Sequence, residues 1–366
     1  MKILICGGHP TPALAVIDEI KKRNEEHDIF FVGRKYAIET ERTLSFEYKA
    51  CMEGNIRFLE LHAGRITRAL SRSSILNFFR VPLGFIQAMQ IVFREQPDVI
   101  ISFGGYLALP IAFWGWIAGK KIITHEQTMR PGTANRIIGF FSRKIFVAFE
   151  QSIHFFPSSK TSWIGNPVRD VIFEQNVLPF SFPTGLPVIY VTGGSLGSHS
   201  INEHIFSILP RLLSVCSVIH QTGDVKEYGD FESAKKIQKQ LEKKSGGVYI
   251  PVKHVSDKEV GSVYHRADCV VARSGANTFF ELLALQKPAI LIPLPWSAND
   301  EQRAHAEFFV SHDIGELFDQ KQDSETLLIF IKKMLSSLAL YQVHFTQLPF
   351  ELKRDAASTI VSEALR

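Results

Sequence analysis

The chain has 366 residues, 45% of them hydrophobic and 21% charged, with a formal net charge of +4. That length suits two domains, the composition is ordinary for a soluble globular protein, and the mild basicity fits an acidic partner without identifying one. Cys6, Cys51, Cys216 and Cys269 make no C-x-x-C pair and read as reduced thiols of a cytosolic protein, no histidine spacing suggests a metal site, and Met1 leads into a strand with no signal peptide expected.

Strands and helices alternate along the chain. In the first half, strands are expected at Lys2–Cys6, Ile29–Val32, Asp98–Ser102, Lys121–Thr124 and Lys144–Val147, with helices at Pro12–Arg23, Ile75–Arg94, Pro110–Ala118 and Thr133–Phe140. The uncharged run Val99–Gly119 is nearly long enough to span a bilayer. It contains Gly104-Gly105 and Pro110, however, and splits into a buried strand, a loop at Gly104–Tyr106 and a buried helix. Pro167–Leu186, with little periodicity, reads as a linker. The pattern restarts with strands at Pro187–Thr192, Val218–Gln221, Gly247–Pro251, Cys269–Ala272 and Pro288–Pro293. Helices fit Ser200–Leu213, Asp257–His265, Phe279–Leu285, Glu301–Ser311, Ser324–Leu335 and Phe350–Leu365. Such alternation predicts parallel sheets covered on both faces: an α/β chain of two doubly wound, Rossmann-like domains facing a central cleft. Expected boundaries are 1–166 for the N-terminal domain and 167–339 for the C-terminal one, with the helix in 340–366 packing back on the first. Ligands of such sheets bind beyond the carboxyl ends of the strands.

Three glycine loops follow expected strands: Gly7-Gly8-His9, Gly104-Gly105-Tyr106 and Gly193-Gly194-Ser195-Leu196-Gly197. Glycine lets a backbone approach a phosphate with no Cβ in the way. None of the loops is a G-x-G-x-x-G fingerprint or a Walker A loop, which weighs against a dehydrogenase or an NTPase. Ser274-Gly275-Ala276-Asn277-Thr278 falls where a strand hands over to a helix, a place suited to a diphosphate. Glu281, about one turn later, is placed to accept bonds from a ribose diol.

In this order, Gly-Gly-His near the start, His125-Glu126-Gln127, Gly165-Asn166-Pro167-Val168-Arg169, Gly193–Gly197 and Arg273–Thr278 with Glu281 resemble the MurG family. Gln302 followed by His305-Ala306 is similar to that family's Gln-x-x-Asn-Ala. The resemblance implies a GT-B glycosyltransferase fold and an inverting, metal-independent hexosyltransferase without cofactor. It implies UDP-N-acetylglucosamine as donor and undecaprenyl-pyrophosphoryl-MurNAc-pentapeptide (lipid I) as acceptor, giving lipid II of peptidoglycan synthesis, and no nucleic-acid partner. Another lipid-linked acceptor, and a UDP-sugar epimerase, remain as alternatives.

The resemblance also implies roles. Ser195 and its loop, with Gly193, Gly194 and Gly197, hold the donor diphosphate, and Arg169 adds a cation. Ser274, Ala276, Asn277 and Thr278 bind the donor, Thr278 at phosphate. Glu281 binds ribose, Gln302 reads sugar hydroxyls and Thr128 meets the acetamido group or a hydroxyl. His9 is the candidate general base, with Glu126 as the substitute to test; His125 and Glu126 belong to the acceptor side with Gly7, Gly8, Gly104, Gly105 and Tyr106. Each has a plainer reading: Arg169 as a surface linker residue, Gln302 as a solvated helix residue, His9 as a helix cap or a phosphate ligand.

The sequence departs from the family pattern. Cys6-Gly7-Gly8-His9 keeps only the end of Gly-Gly-Thr-Gly-Gly-His, and Thr128 and His305 stand where the family has asparagines. Arg57, Arg65, Arg68, Arg72, Arg80 and Arg94, with Ile75, Phe78 and Phe79 among them, read either as a core helix with a basic face or as a surface for anionic lipid, with Trp114 and Trp116 at its edge. The resemblance favours lipid and implies a peripheral protein on the cytoplasmic side of the cell membrane.

Overall fold

Runs such as Ile3-Leu4-Ile5-Cys6 are apolar on both sides of a strand, and only a sheet covered on both faces buries them completely. In the computed structural model all four are fully buried. The structure describes residues 1–23, 26–38, 43–62, 72–194, 196–241, 246–297, 300–349, 353 and 355–366; for 37, 38, 43 and 72–80 it describes the backbone alone. The chain divides into two units, Met1–Arg169 with Lys353–Arg366, and Asp170–Leu352.

The first unit runs β1 (Lys2–Cys6), α1 (Pro10–Lys22), β2 (Asp28–Gly33), β3 (Tyr36–Ile38), β4 (Thr43–Leu44), α2 (Phe46–Glu53) and β5 (Arg57–Glu60). It continues with α3 (Arg72–Glu95), β6 (Val99–Ser102), α4 (Gly105–Ile117), β7 (Lys121–Glu126), α5 (Thr133–Phe141), β8 (Lys144–Val147) and β9 (Thr161–Trp163). Its parallel sheet has the order β5-β2-β1-β6-β7-β8-β9, while β3 and β4 pair antiparallel. Ile3, Ile5, Val99 and Ile101 point to one core layer, and Leu4, Cys6 and Ile100 to the other. The run Val99–Gly119 is β6 followed by α4, whose Gly115 lets the helix approach the sheet: a Cβ there would meet Ile100 Cδ1 at 2.2 Å. The helix begins at Gly105, so the loop expected at Gly104–Tyr106 is shorter than anticipated. No single described helix is long and apolar enough to cross a membrane.

The second unit runs β10 (Val188–Thr192), α6 (His199–Leu212), β11 (Ser217–Gln221), α7 (Asp230–Leu241), β12 (Tyr249–Val252), α8 (Asp257–Arg266) and β13 (Cys269–Ala272). Then come α9 (Ala276–Ala284), β14 (Ala289–Leu291), α10 (Glu301–Ser311), β15 (Gly315–Leu317), α11 (Ser324–Ser336) and α12 (Leu338–Thr346). Its strands are parallel in the order β12-β11-β10-β13-β14-β15. The expected linker packs on this unit: Asn176 N–H donates to Ser262 Oγ (2.6 Å), and Ser262 returns its proton to Asn176 C=O (2.8 Å). The last helix, α13 (Ala356–Leu365), starts later than the expected Phe350 and packs in the first unit, where Ile360 and Val361 join Ile3 and Ile17.

In each sheet the chain builds outward from a first strand and then returns to that strand's other side. The reversal lies between β1 and β6 in the first unit and between β10 and β13 in the second. Crevices at such reversals are where doubly wound sheets take ligands.

Candidate active site

The first unit gathers its glycine loops and the His125–Thr128 segment at the carboxyl ends of β1, β6 and β7. Gly8 N–H donates to Gly104 C=O at 2.9 Å and so joins two loops. Gly7, at φ +148°, lies so close to β6 that a Cβ would stand 2.7 Å from Phe103 C; a Cβ on Gly104, at φ +70°, would stand 2.1 Å from Asn135 Oδ1. These glycines serve loop-to-loop packing as well as any ligand. Asn135 Oδ1 accepts from Gly105 N–H (3.0 Å), and its Nδ2 donates to Glu126 Oε2 (2.6 Å). Glu126 Oε1 takes the Thr128 N–H and hydroxyl, both at 2.8 Å. Burial raises the Glu126 pKa against these bonds, and its engaged oxygens make it an internal brace rather than a base presented to substrate.

His9 begins α1 yet makes no side-chain cap bond, which removes its plainest reading. Its Nδ1 instead lies 2.6 Å from Gln127 Nε2. Burial lowers the His9 pKa to about 4, although the ring keeps partial exposure, so the imidazole is neutral at physiological pH. His125 is buried, its Nε2 bonded to Gly165 C=O at 3.0 Å. Tyr106 is half-buried, with the Arg34 guanidinium 5.7 Å from its ring centroid. Arg169 is not a surface residue: it is 8% exposed, with its guanidinium 5.7 Å from the centre of the Phe46 ring.

In the second unit the loop after β10 and the segment after β13 meet across the other reversal. Gly197 and Gly223 pack loop against loop, a Cβ on the first meeting the Thr222 carbonyl and on the second the Leu196 carbonyl, whereas Gly194, at φ +86°, faces open space and leaves room for a ligand. Ser195 lies outside the described residues. Arg273 ties the elements together: one guanidinium nitrogen donates to Ser198 Oγ, Ser200 Oγ and Gln320 Oε1, each 2.8 Å away, and the other to the Ile292 and Pro293 carbonyls. All five acceptors are neutral. Burial lowers the Arg273 pKa to about 10, so it remains a cation at neutral pH with no carboxylate partner among the described residues.

The helix at this reversal begins earlier than anticipated, at Ala276, so Ala276, Asn277 and Thr278 form its first turn and Gly275 its cap. Asn277 Oδ1 is buried without a partner among the described residues. Ser274 is fully buried; its hydroxyl donates to Gln302 C=O (2.7 Å), and its carbonyl meets His305 Nδ1 (2.8 Å). Gln302 spends its Oε1 on Leu294 N–H (3.0 Å). Glu281 Oε2 accepts the Tyr264 hydroxyl at 2.9 Å.

Gln127, Asn135, Tyr264 and Arg273 received no role from sequence reasoning. Only Asn135 had a local signal: it shares the buried face of α5 with Ile138 and Gly139, a polar residue in an apolar stripe.

Comparison with known proteins bears on the family and the fold. Residues 6–147 match the glycosyltransferase family 28 N-terminal domain, and residues 188–347 match the family 28 C-terminal domain. A Bacillus cereus protein named UDP-N-acetylglucosamine--N-acetylmuramyl-(pentapeptide) pyrophosphoryl-undecaprenol N-acetylglucosamine transferase 2 is 30% identical, the match covering 98% of each chain. The fold is similar to that of Acinetobacter baumannii MurG, at TM-score 0.70 and 20% identity over 100% of this chain and 99% of that one. It is also similar to a Neisseria meningitidis UDP-GlcNAc 2-epimerase, at TM-score 0.63 and 14% identity over 100% and 99% of the two chains. The fold is thus shared by two chemistries, and on its full-length sequence match to the named transferase the chain belongs to the MurG family of glycosyltransferases.

Proposed function

We propose that this protein is an inverting glycosyltransferase that moves N-acetylglucosamine from UDP-N-acetylglucosamine to undecaprenyl-pyrophosphoryl-MurNAc-pentapeptide, making lipid II. The observation that carries this reading is the match along 98% of both chains to an enzyme of that name. The reaction joins the acceptor oxygen to the sugar's anomeric carbon on the face opposite the departing phosphate oxygen. The bond to that phosphate oxygen breaks, UDP leaves with the electron pair, and the acceptor proton passes to His9. Departing UDP gathers negative charge, and fixed donors and cations aimed at it lower the barrier. Arg273, the open backbone at Gly194, the α9 N-terminus and Ser195 supply that field, with Arg169 as a further cation and Thr278 at phosphate. Glu281, oriented by Tyr264, takes the ribose hydroxyls, and Gln302, with Thr128, reads the sugar. His9 is the base because it is neutral at working pH and lies in the loop that follows the first strand at the sheet reversal.

The same reading includes peripheral attachment to anionic lipid on the cytoplasmic face of the membrane, where a polyprenyl acceptor resides. The side chains of Arg72, Ile75, Phe78, Phe79 and Arg80 lie outside the described residues. Support comes from their neighbours: Leu83, Ile86 and Phe93 on α3, Trp116 and Ile117 on α4, and Ile137 and Phe140 on α5 are all exposed. Arg57 and Arg94 are taken up by Glu95, at 2.8 and 2.9 Å, and so contribute less to a lipid-facing charge.

Incubation with labelled UDP-N-acetylglucosamine and membranes tests the function. Label in the lipid extract supports transfer, epimerised nucleotide sugar supports an isomerase, and binding without turnover refutes both. The shortened loop at Gly7-Gly8 favours one variant reading, a different lipid-linked acceptor, which purified lipid I as sole acceptor distinguishes.

A further inference from the structure

We propose that Gln127 is the positioning residue for His9: its carboxamide sets which ring nitrogen carries the proton, and so whether His9 takes a proton or donates one. This rests on reading His9 as the base. Residues at alternate positions along a strand share a face. On one face at the end of β7, Glu126 is engaged by Thr128 and Asn135; His125 and Gln127 share the other.

Gln127 is 6% exposed, and its Nε2 lies 2.6 Å from His9 Nδ1. An amide nitrogen only donates. In this arrangement Nδ1 accepts, the neutral ring carries its proton on Nε2, and His9 is a donor. Turning the carboxamide by half a turn preserves its shape and exchanges its oxygen and nitrogen. Oε1 then accepts from Nδ1–H, and Nε2 is left with the lone pair that a base needs.

Hydrogen-bond accounting on this face favours the turned form when acceptor is bound. Gln127 Oε1 and His125 Nδ1 are both buried and both lack a partner among the described residues. With His125 Nε2 donating to Gly165 C=O, its Nδ1 is an acceptor, so this face has acceptors in excess of donors. A proton on His9 Nδ1 answers one of them directly. After reaction the imidazolium donates from Nδ1 to Gln127 Oε1. A neutral amide orients that cation without the charge a carboxylate would add, so the proton is readily released. The titratable neighbour is His125, lowered to about 4 chiefly by burial and in smaller part by His9, against the Gly165 bond; Glu126 is on the opposite face.

The test uses the full chain, transfer to lipid acceptor across a pH series, and UDP affinity as a control for folding. Gln127→Glu places a carboxylate against Nδ1, and an opposite charge at such range favours the protonated ring by about 1–3 pH units. The acid limb of kcat/KM is therefore expected to move up by that amount. Gln127→Met, close in volume, is expected to lower kcat about 10- to 100-fold with UDP affinity unchanged and no upward movement of the limb. His9→Ala is run in parallel. If His9→Ala loses turnover while Gln127→Glu keeps the wild-type limb, or while Gln127→Met keeps wild-type kcat, the positioning role is overturned and the base reading survives. If His9→Ala keeps turnover, both fall.

Discussion

Replacing Asn135 with alanine removes two bonds from inside the first unit. Asn135 is 4% exposed, and it stands between Gly105 N–H at 3.0 Å and Glu126 Oε2 at 2.6 Å. A buried donor left without a partner costs about 1–3 kcal/mol, and a bond to a charged group is worth about 1.5–3 kcal/mol. Glu126 keeps its two bonds from Thr128, which limits the second loss. The expected destabilisation is therefore about 3–4 kcal/mol, somewhat below the sum of the two mid-range values. For a unit of this size that corresponds to a fall of roughly 6–15 °C in its unfolding temperature. Thermal unfolding followed by circular dichroism measures it, and amide exchange at Gly105 should accelerate alongside. A shift under about 2 °C would mean that Asn135 is no brace, since that equals less than about 1 kcal/mol.

Four further outcomes are expected. Glu281→Ala and Ser195→Ala should each weaken UDP binding about tenfold to a hundredfold, and Tyr264→Phe by less because the carboxylate remains; unchanged affinities by calorimetry would remove the donor assignment. His125 and His305 are lowered by burial to about 4 and His220 to about 3, all below the unfolded value of 6.5, so the unfolded chain binds protons first as pH falls. Their contribution to stability is complete above pH 6.5 and is lost as pH falls toward about 4 for His125 and His305 and about 3 for His220, each at about 1.4 kcal/mol per pH unit, and unfolding temperatures equal at pH 7 and pH 5 would contradict it. Trp116→Ser with Phe140→Ser should reduce co-sedimentation with anionic vesicles and leave UDP affinity intact, and binding equal to wild type at every salt level would discard that surface. If Arg273 and the α9 N-terminus carry the diphosphate charge as proposed, transfer should survive a chelator; loss of activity restored by Mg²⁺ or Mn²⁺ would refute this.

The alternation of strands and helices was legible because each buried strand is an apolar run and each glycine loop punctuates it. The helices α7 and α12 went unread for opposite reasons. In α7 the apolar stripe is thin, one residue per turn at Phe231, Ala234, Ile237 and Leu241 among polar neighbours, and only Ala234 of these is buried. In α12 apolar residues face both ways, with Leu340 and Val343 exposed and Tyr341 and Phe345 buried. The positions of His9 and Glu281 were readable from motif and spacing, but their partners were not. Gln127 meets His9 across 118 positions of chain, and Arg273 meets Ser198 across 75. Such pairs arise when parallel strands bring distant loops together, and no local periodicity records them. The reading of Arg57 to Arg94 as basic was likewise altered by a carboxylate just beyond it, Glu95.

The chain leaves its first unit after Arg169 and returns at Lys353. The returning helix α13 puts Ile360, Val361 and Ala364 into the same core as Ile3, Ile17 and Ile20, and Arg23 fastens it through Ser358 and Ser362, each at 3.0 Å. During synthesis, the segment that closes this core leaves the ribosome after the whole of the second unit. The second unit is contiguous and is able to fold on emergence, whereas the first must wait with the outer side of α1 uncovered. Nascent chains halted before Lys353 should therefore expose apolar surface on the earlier-made unit, and that surface is where a chaperone would first be needed.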